Sequence, residues 1–224
     1  MRDHFGSFPL VSGMGFSRGV HVLDDCEGTL TWIISGTGGD DVHEYATVAA
    51  WQGAYGLRLK TRVTATAEND YVAAQKIFDH PYTGFLLMRL RLATPLVANC
   101  KSLSAGFRDD DGAQQYLAQL ALYPATGLVK YCDAAGAYVA IDALAQTFAA
   151  SSWLTLEIAI DCLTHKWLYV LLNGVKVDLS TISLYNDAAT ASKAAQAIIM
   201  VTASAAGAGE AYLDNILVTE WPEA

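Results

Sequence analysis

Residues 153–180 read WLTLEIAIDCLTHKWLYVLLNGVKVDLS. Three strand-like runs follow one another there with only short polar interruptions. In the first, Leu154, Leu156, Ile158 and Ile160 alternate with Thr155, Glu157, Ala159 and Asp161, the period of two that marks a strand with one buried face. The second, residues 166–172, is apolar almost throughout, which calls for cover on both faces or a place deep in a sheet. Asn173 and Gly174 then supply the two residues that tolerate positive φ in a type I′ turn, and residues 175–179 return antiparallel. The stretch reads as the core meander of a β-sandwich, and nothing in it specifies a reaction.

Working outward, turn-rich segments separate further strand candidates at 29–34, 42–49, 54–63, 71–78, 85–92, 103–108, 115–122, 128–132, 138–141, 197–202 and 211–220. Alternation is clearest in YGLRLKTRV (55–63) and LLMRLRLA (86–93). There Leu57, Leu59, Leu86, Met88, Leu90 and Leu92 point inward, while Arg58, Lys60, Arg89 and Arg91 face out or line a polar surface. So many short strands with short turns make a two-sheet antiparallel sandwich the economical solution. The exception is NDAATASKAAQA (186–197), whose alanine content predicts a short helix or a surface loop. Residues 1–22 show neither period. They spread Phe5, Phe8 and Phe16 among glycines and read as an extended N-terminal arm ahead of one domain at 23–224. The arm packs either across its own sandwich or onto a neighbouring subunit.

The 224 residues are 53% hydrophobic and 17% charged, with a formal net charge of −9. That composition buries a substantial core and excludes intrinsic disorder. The negative field argues against nucleic acid and anionic membrane surfaces as partners. No run approaches the roughly 20 apolar residues of a membrane span. The start MRDHFGSFPL lacks the layout of a secretory signal, so a virion or cytoplasmic location is expected ahead of secretion. Cys26, Cys100, Cys132 and Cys162 are widely spaced without a CxxC pair, which predicts buried free thiols.

The order LDDCEGTLTWIISGTG (23–38), AAWQGAYGLRLKTR (49–62), the meander, and AYLDNILVTEW (211–221) resembles the jelly-roll sandwiches of the concanavalin A-like lectin and laminin G-like class. The first and last segments also resemble carbohydrate-binding jelly rolls. The matching residues are Glu27 and Trp32, then Gly53, Tyr55, Gly56, Leu57 and Leu59, then Tyr212, Leu213, Asp214, Asn215 and Ile216. The resemblance implies a jelly roll used for glycan binding, for protein contact, or as an accessory domain of virions and secreted enzymes. It also implies a structural Ca2+ held by Glu27 and Asp214, with Asp25 beside them. The alternative is that Asp214 bonds local backbone amides and Glu27 is solvated. No other cofactor is expected. Catalytic relatives carry Glu-x-Asp-x-x-Glu on one strand face, and this chain does not. Glu157 and Asp161 share a face but lie about 13 Å apart along a strand, beyond the roughly 5 to 9.5 Å of glycosidase acid pairs. No catalytic role is expected.

Other constellations are weak. The run Asp109-Asp110-Asp111-Gly112 reads as a turn ahead of a cation loop. The five histidines have no metal-ligand spacing, and Gly36-Thr37-Gly38-Gly39 precedes no helix that would make it a phosphate cradle. Aromatic rings remain. Trp51, Tyr82 and Tyr116 lie at strand ends or near turns, where a flat ring can stack on a sugar, whereas Trp32, Trp153 and Trp167 read as core. The leading expectation is a non-catalytic structural or assembly module, such as a virion decoration or tail-associated protein. It would dock through Phe5, Phe8 and Phe16 into a homo-oligomer or larger assembly. The alternative is a carbohydrate-binding module recognising a polysaccharide.

Overall fold

The computed structural model describes residues 20–62, 67–79, 84–188 and 193–220. Phe5, Phe8, Phe16 and Tyr82 lie outside these residues, and with them most of the expected arm. The strands are β1 (Val20–Asp24), β2 (Ile33–Gly36), β3 (Val42–Ala46), β4 (Gly56–Lys60), β5 (Tyr71–Phe78), β6 (Phe85–Ala93), β7 (Cys100–Asp110), β8 (Gln114–Tyr123), β9 (Leu128–Cys132), β10 (Tyr138–Ala140), β11 (Leu154–Asp161), β12 (Lys166–Leu172), β13 (Val175–Asp178), β14 (Tyr185–Ala188), β15 (Ala194–Ala203) and β16 (Glu210–Glu220). They form two antiparallel sheets. The first runs β13-β12-β11-β6-β16-β4-β3, with β1 also on β16; the second runs β10-β9-β8-β7-β15-β5-β2, with β14 also on β8.

The period-two pattern becomes the core directly. Leu156, Ile158 and Ile160 of β11 pair with Leu90, Met88 and Leu86 of β6, all fully buried. They share one apolar cluster with Phe107, Leu120 and Leu122 of the second sheet. Each such side chain contributes roughly 1.5–3 kcal/mol by leaving water. Between β13 and β12, Asn173 has φ +50° and Gly174 φ +87°, the positive values that the Asn-Gly pair predicts. Asn173 also accepts a bond at Oδ1 from the Thr155 amide at 3.0 Å.

The unbroken apolar run of β12 has a local cause. The β11–β12 register shifts between Ala159 and Ile160, so one extra β12 residue, Leu168, is accommodated there. Trp167 and Val170 both face the core, and Leu168 joins Tyr169, Leu171, Leu87 and Ala159 in a second cluster on the outer face. Trp167 is fully buried and donates its indole N–H across the sandwich to the Cys132 carbonyl at 3.2 Å.

The expected helix or loop at 186–197 is strand at both ends. β14 pairs with β8, and β15 begins at Ala194 and lies between β7 and β5. Ala195 and Ala197 are fully buried on its inner side. Small residues suit a central strand packed against a facing sheet, and pairing on both edges overrides helix propensity. All four cysteines are buried free thiols.

A candidate binding face on the first sheet

The alternation that drives leucines inward in β4 and β6 sends their basic residues to the outer face of the first sheet. Cross-strand register then matches them with acids from distant parts of the chain. Arg58 lies between Glu44 on β3 and Tyr212 on β16. Its Nε is 2.8 Å from Glu210 Oε1 and its Nη1 3.0 Å from Glu44 Oε1, while Lys60 reaches Glu210 Oε2 at 3.3 Å. Farther along, Arg89 pairs in register with Glu157 and contacts its Oε2 through both Nε and Nη2. The Tyr169 hydroxyl donates to Glu157 Oε1 at 2.6 Å, and Lys176 Nζ lies 3.8 Å from the Tyr169 ring centroid. Burial, with the Glu157 bond second, pushes the Tyr169 phenol well above its ordinary value. Glu157 is 5% exposed. It is a buried carboxylate held by two partners, Arg89 and Tyr169.

A loop covers part of this face. The 3-10 turn Thr47–Ala49 packs Ala49 on Tyr212 and Ala93, with Trp153 against the same cluster. Gly56 permits the crossing, since a Cβ there would lie 1.8 Å from the Ala49 carbonyl oxygen. Two carboxylates then fasten residues 51–55. Asp214 Oδ2 accepts from the Trp51 and Gln52 amides at 2.8 and 2.9 Å, and Glu27 Oε1 accepts from the Ala54 and Tyr55 amides at 2.6 and 3.0 Å. Burial raises the Asp214 pKa, against the pull of its amide bonds, and the nearby Glu27 charge adds to the rise.

The clamp leaves Trp51 44% exposed. Its ring meets Trp153 edge-on at 5.8 Å, and the Arg91 guanidinium sits 4.9 Å from its centroid. Burial lowers the Arg91 pKa. Trp153 also lines a cavity of about 220 Å³ at the end of the sandwich, with Ala93, Thr94, Gln146, Ser152 and Asn173 among its walls. Trp153 is thus a half-buried corner residue, not the core residue expected from the sequence.

Of the rings read from the sequence, Trp51 lies on this face. Tyr116 lies in the second sheet, one ring face covered by His165 at 3.5 Å between centroids. Tyr82 falls outside the described residues. The sequence does bring Glu27 and Asp214 together, but around amide hydrogens: Asp214 Oδ1 accepts from Asn215 N at 2.6 Å, and Asp25 Oδ1 from Glu27 N at 3.2 Å. N–H donors stand where a cation would need oxygens to converge. Among the described residues no three His, Cys, Asp or Glu are grouped to hold a metal ion. Asp111 is likewise committed to a turn, accepting from Ala113 and Gln114 amides at 2.7 Å each. Arg91 and Trp153 were missed as partners of Trp51. Only the outward position of Arg91 was readable, from the alternation of RLRLA.

No family model matches the chain, and no curated protein matches its sequence. Solved structures share its shape. An endo-β-1,4-glucuronan lyase from the fungus Trichoderma reesei is 11% identical and superposes over 90% of this chain and 96% of its own, with a TM-score of 0.58. Lectin I-B4 from Griffonia simplicifolia is 10% identical over 86% of this chain and 94% of its own, at 0.50. A sialidase is 13% identical at 0.50 over 81% of this chain, which spans only 17% of that protein. The fold is the concanavalin A-like jelly roll. The lyase corrects the expectation of a non-catalytic protein. Over nearly its whole length the same sandwich serves an enzyme as well as a lectin, so the missing Glu-x-Asp-x-x-Glu motif excludes one catalytic arrangement and not catalysis.

Proposed function

We propose that the outer face of the first sheet, centred on Trp51 and Trp153, binds carbohydrate. One observation carries the reading: the Trp51 backbone amide is anchored by Asp214, yet the residue keeps 44% of its surface in water. A large aromatic ring left exposed on a fixed backbone gives a stacking platform at little entropic cost. Arg58, Arg89 and the acids around them supply hydrogen-bonding groups on the same face for sugar hydroxyls. That solved structures of this shape include a lectin and a polysaccharide lyase agrees with this use of the fold. The exposed ring supports the carbohydrate reading over the assembly module that the sequence put first.

Affinity electrophoresis through gels containing neutral and acidic polysaccharides tests it. Retardation by at least one polymer is expected, with loss of that retardation in Trp51→Ala and an unchanged circular dichroism spectrum. Equal retardation of the wild type and Trp51→Ala, or none on any polymer, overturns the reading.

A further inference from the structure

This inference rests on the carbohydrate-binding reading and names the chemistry of the ligand. The outer face is dense in cations, but most are answered. Arg58 and Lys60 meet Glu210, Arg58 also meets Glu44, and Arg89 meets Glu157. Arg91 differs. It follows Arg89 on the same face of β6, opposite Thr155 on β11 and Asp214 on β16. Asp214 spends its oxygens on the amides of Trp51, Gln52 and Asn215. Among the described residues no acid meets the Arg91 guanidinium. Its Nε is buried and has no hydrogen-bond partner among the described residues, and its guanidinium lies over the π-face of Trp51.

A partly desolvated guanidinium with no counter-charge is unfavourable in the free protein, so an anion arriving there recovers both the charge and the hydrogen bonds. The planar fork matches a carboxylate through two parallel bonds. Its place against Trp51 means that an anion bound to it sits beside a ring stacked on that indole. The flanking cations are already neutralised, and the whole chain carries −9. The face therefore suits one charge per sugar and disfavours densely charged polyanions. We propose that Arg91 receives the carboxylate of a uronic acid residue in an acidic polysaccharide, with Trp51 and Trp153 as the adjoining ring platform.

The test compares polygalacturonate, polymannuronate and polyglucuronate with their carboxyl-reduced counterparts, which keep the rings and lose the charge. Binding is read by tryptophan fluorescence titration of the wild type, Arg91→Gln and Trp51→Ala. At least one uronan should bind about ten-fold or more tighter than its reduced form, since a hydrogen bond to a charged group is worth about that much. Arg91→Gln should abolish the difference while retaining the weaker affinity for the reduced polymer. Higher ionic strength should weaken the uronan alone. Equal affinity of the wild type for charged and reduced forms overturns the inference and leaves carbohydrate binding standing. Equal loss of both forms in Arg91→Gln would make Arg91 a strut for Trp51, and that also overturns it. Tighter binding of a sulfated polymer such as dextran sulfate than of any uronan overturns the carboxylate assignment. Binding of neither form sinks both proposals together.

Discussion

Glu157 shows how one residue is governed by neighbours that lie far from it in the chain. Its carboxylate is held by Arg89 and by the Tyr169 hydroxyl, 68 and 12 residues away. Removing one partner of a buried pair leaves the other charge without compensation. Glu157→Ala is expected to destabilise by about 3 kcal/mol in urea unfolding, and Glu157→Met combined with Arg89→Met should recover most of it. Recovery no better than the sum of the two single variants would argue against the pairing as the cause. The cysteines give a pH dependence with a definite sign. Burial pushes the Cys100 thiol from 9.0 up to about 12, and burial moves Cys26 and Cys162 the same way. The folded protein keeps these protons at pH values where the unfolded chain releases them. Their contribution is therefore complete below pH 9.0 and declines toward about 12, by about 1.4 kcal/mol per pH unit for each thiol. Urea midpoints across this range should fall, and fall less steeply in Cys100→Ala. An identical slope in that variant would remove Cys100 from the account.

At the scale of elements, the loop at 51–55 depends on two acids from opposite ends of the described chain. Asp214→Ala should leave the Trp51 and Gln52 amides without their acceptor and speed their hydrogen exchange, while amides in β6 and β11 stay protected. Uniform loss of protection would instead mean that Asp214 supports the whole sheet. The β12–β13 hairpin has a simpler requirement. Gly174 sits at φ +87°, so Gly174→Ala should cost about 1 kcal/mol. A neutral result would show that the turn can adopt another type.

For the whole molecule, the first sheet closes only when β16 comes in beside β1, and His21 meets Glu220 across 199 positions at 3.1 Å. Non-local pairing of this kind requires loop-closure entropy to be spent before the contacts form. Refolding from urea is expected on a timescale of roughly milliseconds to seconds, and stopped-flow fluorescence of the buried Trp167 would follow it. Microsecond refolding would contradict this topology.

The amino-acid sequence by itself determined which residues face inward. Side-chain direction in a strand alternates with sequence position alone, so Leu57, Met88 and Ile158 were legible as core, and Asn173-Gly174 as a turn. The same rule put Arg91 and Glu157 on outer faces without saying what they meet. Tertiary structure alone decided that. It matched Arg89 to Glu157 and left Arg91 without an acid among the described residues. It put amide hydrogens where a calcium ion was expected between Glu27 and Asp214. It turned Trp153 from the core toward Trp51, covered Tyr116 with His165, and made strand of the alanine-rich segment at β15. Each outcome depends on which strands become neighbours and in what register. That is settled by the packing of the whole sandwich, and the period of no single segment contains it.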